Sequence, residues 1–191
     1  MIEAAGTSVR RILHGDAAKV LPTLPAAFAR LVYIDPPFNT GRVQKRTRLR
    51  VRSVDGPGDR AGFGGKQYAT EATESESFED SFDDFEGFLV PRVAAALRCM
   101  TADASLFVHL DAREVHYAKV ALDRLLGRAS FMNEIIWAYD YGARPKRRWP
   151  AKHDTILWYA RDPKSYVFRA DAMDRIPYMA PGLVGAEKAA R

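Results

Sequence analysis

An acid, two prolines, an aromatic ring and an amide, Asp35-Pro36-Pro37-Phe38-Asn39, close an apolar run that begins at Leu31. A carboxylate followed directly by a proline places a side-chain acceptor next to a rigid backbone carbonyl, because proline locks φ and brings no N–H of its own. Two such acceptors suit an amino group. The exocyclic amine of a nucleobase is a poor nucleophile, since its lone pair is delocalised into the ring. If the Asp35 carboxylate and the Pro36 carbonyl each accept one N–H, the nitrogen is drawn toward a pyramidal shape and the positive charge that grows during attack is stabilised. Phe38 is placed to stack on a base flipped out of a duplex, and Asn39 to fix the loop or reach a cofactor.

These groups need a rigid support. Leu31, Val32, Tyr33 and Ile34 read as a buried parallel strand, because β-branched and aromatic residues in a short continuous run suit a covered sheet. Asp35 then falls at the carboxyl end, the edge where open α/β sheets bind ligands. Upstream, Val9 to Leu13 has strand character and leads through His14-Gly15-Asp16 into a helical run from Ala17 to Leu24, with Asp16 as N-cap. The three pieces predict a βαβ unit.

Downstream, 42–77 is a long basic and glycine-rich loop, expected to be mobile. Arg42, Lys45, Arg46, Arg48, Arg50 and Arg52 sit in its first part, where Val43 to Val54 can also form a basic hairpin against a phosphate backbone. An acidic cluster follows and serves the next helix start, with Ser81 as a plausible N-cap. Phe82, Phe85, Phe88, Leu89, Val93, Ala96, Leu97 and Met100 recur at three and four, which predicts a helix with one buried face, kinked at Pro91. Ala104 to Leu110 is the next buried strand. A helix capped by Asp111 and ended by Gly127 comes after it. His109, Asp111 and His116 straddle a strand end and a helix, so they suit a pocket lining better than a metal site, and no metal is expected.

Phe131 to Tyr139 and Asp154 to Ala160 read as antiparallel partners around a basic hairpin at 140–153. There Arg144, Lys146, Arg147, Arg148, Lys152 and His153 interleave with Tyr141 and Trp149, a composition suited to phosphate contact and base stacking. Ser165 to Phe168 has weak strand character, and 169–191 reads as an irregular tail.

The 191 residues are 47% hydrophobic, enough for one domain with a core, and the formal net charge is +5. A pI near 9.4 fits a polyanionic partner. The single cysteine, Cys99, excludes an internal disulfide and fits a reducing cytoplasm. No signal peptide and no long apolar run indicates export or membrane spanning.

Asp35-Pro36-Pro37-Phe38, with Asn39-Thr40-Gly41 behind it, resembles catalytic motif IV of β-class amino-group DNA methyltransferases. The block from Ser81 to Asp111 resembles motifs V and VI of that family, and Asn133-Glu134-Ile135-Ile136-Trp137 with Lys152 to Leu157 resembles its later segments. The resemblance implies a Rossmann-like α/β fold: an open, mixed, mostly parallel sheet with helices on both faces. It implies methyl transfer from S-adenosylmethionine to N6 of adenine in double-stranded DNA, with N4 of cytosine as the alternative target. Asp35, Pro36 and Phe38 become catalytic, and Asp16, Asp35, Pro37 and Asn39 cofactor-binding. Arg144, Lys146, Arg147, Arg148, Trp149, Lys152 and His153 become DNA-binding. No covalent enzyme intermediate is implied, so Cys99 is not a nucleophile.

The glycine-rich strand-turn-helix of that family has no counterpart here. The expectation is therefore a catalytic portion of 1–191 whose second half lies on a second copy, on a complementary chain or in a continuing reading frame, in a restriction-modification setting. A methyltransferase acting on RNA or protein amides, and a DNA-binding module without chemistry, are the remaining alternatives.

Overall fold

The computed structural model of the chain describes residues 10–142 and 145–173. Its main sheet has four strands in the order β1 (Ala29–Ile34), β5 (Met100–Leu110), β7 (His153–Ala160) and β6 (Phe131–Ala138). β1 runs parallel to β5, and β7 is antiparallel to both β5 and β6. The sheet is mixed, as expected. Its parallel part is limited to β1 and β5 among the described residues.

Two long helices, α2 (Phe85–Cys99) and α3 (Val115–Leu126), pack on one face. The alternation of β5 explains this: Ala104, Leu106, Val108 and Leu110 all point to that face and are fully buried with Leu89, Val93 and Leu122. Leu157 and Tyr159 of β7 complete the core. The expected helices on both faces are therefore not found among the described residues. Leu31, Tyr33, Ile135 and Trp137 on the opposite side remain exposed, and Tyr166, Val167 and Phe168 cover part of it, with Tyr166 edge-on to Trp158 and Phe168 stacked on it. Ser165 to Phe168 does this as irregular chain rather than as a strand, with the Val167 N–H on the Asp103 carbonyl at 3.3 Å.

The expected strand at the start does not form over Arg10 to Leu13, where Ile12 and Leu13 find no sheet edge and stay exposed; Val9 lies outside the described residues. Asp16 does cap the short helix α1 (Ala17–Val20), accepting the Ala18 N–H at 3.0 Å. Both long helices begin later than their sequence signals suggest. Asn39 holds the Phe82 N–H at 2.8 Å and keeps that stretch out of a helix, so α2 starts beyond Asp84, which accepts the Gly87 N–H at 2.8 Å. α2 then continues through Pro91. Asp111 makes a turn with the Arg113 N–H, and α3 starts beyond Glu114. Gly127 ends α3 with φ of 85°, as expected.

The stretch expected as a long loop is a second sheet. β2 (Arg42–Val54) pairs antiparallel with β4 (Gln67–Asp80) along its whole length, and β3 (Arg60–Ala61) adds to the tip. Arg46 faces Glu76, Arg48 faces Glu74 and Arg50 faces Glu71, so the basic strand is matched by an acidic one. Exposed cross-strand pairs of this kind contribute roughly 0.2–1 kcal/mol each. At the tip, Gly58 lies so close to β4 that a Cβ would stand 2.3 Å from the Tyr68 carbonyl oxygen. No helix among the described residues is long and apolar enough to cross a membrane.

Candidate active site

Sheet order brings three strand ends together. Parallel pairing sets the end of β1 beside that of β5, with Ile34 opposite Val108, and antiparallel pairing sets the start of β7 beside the same end, with Thr155 opposite Leu110. Asp35, His109 and Asp154 thereby meet, although they are far apart in the chain. Asp35 follows β1 directly, and its side chain is 62% exposed, open to a ligand rather than sealed in the core.

The loop after Asp35 is fixed from both sides. Asn39 adopts a left-handed φ of 54°. Its amide donates to the Phe82 carbonyl at 3.2 Å and to Glu114 at 2.6 Å, while its oxygen accepts the Phe82 N–H. That amide is committed to holding the loop, one of the two roles the sequence allowed, and it does not line the larger cavity described below. Asp80, the last residue of β4, accepts the Asn39 N–H at 2.8 Å and the Thr40 hydroxyl at 2.6 Å. Burial alone would push its carboxyl up. The hydrogen bonds from Thr40, Asn39 and Gln44 outweigh that and hold it below the usual carboxylate range.

Two hollows flank Asp35-Pro36-Pro37. The larger, about 700 Å³, lies between β1, α1 and α2 and is lined by Asp16, Phe28, Val32, Phe88 and Arg92 among others. Asp16 and Arg92 form an ion pair across it at 3.0 Å. The smaller, about 420 Å³, is open and lies on the other side, where Phe38, Thr40, Gln44, Phe78 and Asp80 complete its walls. Asp35, Pro36 and Pro37 line both. Cavities of this size take a nucleoside-sized ligand. The larger one pairs apolar walls with carboxylates and a guanidinium, which suits a charged nucleoside such as S-adenosylmethionine.

Of the residues singled out from the sequence, Asp16, Asp35, Pro36 and Pro37 share the larger cavity, and Phe38 lines the smaller. Phe38 also leans on the His109 ring at 5.6 Å between centroids. Lys146, Arg147, Arg148 and Trp149 are exposed at the tip of the hairpin between β6 and β7; Arg144 lies outside the described residues. His153 is exposed at the start of β7. Lys152 is turned inward, donating to the carbonyls of Asp140, Tyr141 and Gly142, and so closes the hairpin. Stacking of Tyr139 on Tyr141 at 4.6 Å stiffens the same arm.

Sequence reasoning missed Arg92, Gln44, Phe78 and Asp154. Arg92 was hidden in a helix read only for its apolar period. Gln44 lies on a strand taken for a loop, and Phe78 on a strand whose acidic end was read as the approach to the next helix. Tyr33, also unflagged, shares a 2.9 Å hydrogen bond with His109 Nδ1; partial burial and the nearby Asp35 charge push its phenol up, so it remains a neutral hydroxyl.

The family model N6_N4_Mtase, described as DNA methylase, matches residues 29–180. The DNA adenine methyltransferase YhdJ of Escherichia coli K12 is 24% identical over 169 residues, covering 88% of this chain and 47% of its own length. The EcoP15I Mod subunit of an Escherichia coli type III restriction-modification enzyme is 22% identical, covering 82% of this chain and 25% of its own. The chain thus spans less than half the length of these curated relatives. Among solved structures, the cytosine-N4-specific PvuII DNA methyltransferase superposes with a TM-score of 0.46 at 11% identity, covering 78% of this chain and 48% of that one. A Thermus thermophilus protein described as a DNA modification methylase, solved with S-adenosyl-L-methionine, gives 0.43 at 20% identity, covering 86% and 57%. With four fifths of its length inside the family match and the Asp-Pro-Pro-Phe loop at the carboxyl end of its first sheet strand, the chain belongs to the N6/N4 DNA methylase family.

Proposed function

We propose that this chain carries the catalytic part of an S-adenosylmethionine-dependent DNA methyltransferase acting on an exocyclic amino group, with N6 of adenine as the target. The observation that carries the reading is the wall shared by the two hollows: Asp35, Pro36 and Pro37 face both. Cofactor on one side and a flipped base on the other meet across that wall, which is the geometry an in-line transfer needs.

S-adenosylmethionine, when bound, supplies an electrophilic methyl group. The chain's residues prepare its acceptor. The Asp35 carboxylate and the Pro36 carbonyl take the two N–H groups of the target amine, and Phe38 stacks on the base. Asp16 and Arg92 offer a carboxylate and a guanidinium to the polar groups of the cofactor. The exposed Lys146, Arg147, Arg148 and Trp149, with Arg144 and His153, contact the duplex, and Lys152 shapes that contact by closing the hairpin. Asp at position 35 favours adenine over cytosine N4 by resemblance to the family.

The remainder of the cofactor site comes from further sequence, from a second copy or from a complementary chain. A single cysteine, buried in α2, suits a reducing cytoplasm. Incubating the protein of the complete reading frame with duplex DNA and labelled S-adenosylmethionine tests the proposal. Digestion of the DNA to nucleosides should yield N6-methyldeoxyadenosine; N4-methyldeoxycytidine would reassign the base, and DNA binding without any methylated nucleoside would leave only a binding module.

A further inference from the structure

His109 is a half-buried polar side chain, 13% exposed, that the acceptor pair does not use. A different element encloses its ring on each side. From β1, the Tyr33 hydroxyl lies 2.9 Å from Nδ1. From the loop after β1, Asp35 Oδ1 lies 3.9 Å from the same nitrogen, and the Phe38 ring leans against the imidazole. From β6, Trp137 stacks on it at 5.8 Å and 8°. From β7, Asp154 Oδ2 approaches Nε2 to 3.5 Å, while its other oxygen accepts the Tyr139 hydroxyl at 3.3 Å. The titratable groups facing the ring are therefore Tyr33, Asp35 and Asp154, with Tyr139 behind the last.

Nε2 is buried and has no hydrogen-bond partner among the described residues. Leaving a buried ring nitrogen orphaned is costly, so a histidine kept only for packing is a poor choice here. An imidazole with one nitrogen toward a half-buried carboxylate and the other toward an exposed one has the arrangement of an oriented proton acceptor. Asp35 needs such a neighbour. With a base and a cofactor in the two hollows, water loses its approach to Asp35 from both, and the side facing His109 is what remains.

We infer that His109 is a positioning residue that works through Asp35, receiving the proton that Asp35 takes from the target amine while Asp154 stabilises the imidazolium. The inference rests on the methyl-transfer reading above. In the balanced step, the amine lone pair forms the C–N bond and the C–S bond breaks with its pair left on sulfur. The nitrogen, now positive, releases one N–H proton to the Asp35 carboxylate, which passes it to His109 Nδ1. The Tyr33 hydroxyl, a donor to Nδ1 at rest, turns to accept from it. Solvent removes the proton once the product base leaves.

The test follows single-turnover methyl transfer to duplex DNA against pH in the protein of the complete reading frame. Wild-type rate should fall toward acid pH, because a protonated His109 no longer accepts. His109→Gln should lower the plateau rate about a hundredfold, leave DNA affinity unchanged and remove that acid limb. A measurement independent of activity is NMR of histidine-labelled protein, with the His109 signal identified by its loss in the variant. Its titration midpoint should drop in Asp154→Asn, where the imidazolium loses its partner. An acid limb unchanged in His109→Gln, or a midpoint unmoved in Asp154→Asn, overturns the role. Near-normal turnover in Asp35→Ala would instead remove the methyl-transfer reading itself, so the two failures are distinguishable.

Discussion

Asp80 accepts the backbone N–H of Asn39 at 2.8 Å, which ties the far end of the β2–β4 ribbon to the loop that carries Asp35 and Phe38. Its other oxygen takes the Thr40 hydroxyl, and its backbone carbonyl takes the Gly41 N–H at 2.8 Å. Three consecutive loop residues thus hang on one buried acid. Asp80→Asn should cost about 1.5–3 kcal/mol of stability, the range for hydrogen bonds to a charged group. The folded-state carboxyl of Asp80 lies below its unfolded value, so its contribution is present above about pH 4 and is lost as pH falls through the folded value. Urea titrations of both proteins at pH 7 and pH 3 measure this. A gap as wide at pH 3 as at pH 7 would mean that the charge does not matter.

Asp35→Ala should abolish methyl transfer while leaving duplex affinity within about twofold, because the side chain is exposed at the cavity wall and does not support the core. Filter binding of DNA alongside a transfer assay separates the two effects. Turnover near that of the parent would remove the carboxylate from the chemistry.

Replacing Arg147 and Arg148 together by alanine should weaken DNA binding and reduce the slope of log affinity against log salt by about 2, as expected when two phosphate contacts are lost. Fluorescence anisotropy across a salt series gives the slope directly. Both residues are exposed at the hairpin tip, so thermal stability should stay within about 0.5 kcal/mol of the parent.

Phe78 and Gln44 face each other across the ribbon and complete the smaller hollow beside Phe38. Phe78→Ala should remove one wall of the hollow proposed for the base and cost roughly 1–3 kcal/mol of base stacking, by analogy with other base-aromatic contacts. A duplex with 2-aminopurine at the target position reports it: fluorescence of the flipped base should be less quenched in the variant than in the parent. Equal quenching would place the base elsewhere.

Much of the core was legible in the sequence. Phe85, Leu89 and Val93 repeat with a helical period, and Ala104 to Leu110 alternates toward one buried face, so local pattern and tertiary burial agree. The ribbon was not legible. Its strands expose both faces, the alternation of Arg46, Arg48, Arg50 and Arg52 with Thr47, Leu49, Val51 and Ser53 builds no buried apolar face, and its pairing is visible only when Arg46, Arg48 and Arg50 are set against Glu76, Glu74 and Glu71. The late start of α2 was hidden for a related reason, since the Asn39 side chain that pins Phe82 comes from a distant loop.

The sequence by itself determined the Asp-Pro-Pro-Phe loop, the strand that ends in it and the apolar patterns of α2, β5 and α3, because covalent neighbours and short periodicities suffice for each. Only the tertiary structure decided that His109 and Asp154 stand beside Asp35, and that one proline-rich wall divides two hollows. Those relationships depend on the strand order β1, β5, β7. Local propensity cannot specify it, since pairing between distant strands is selected by burial of the whole sheet face at once.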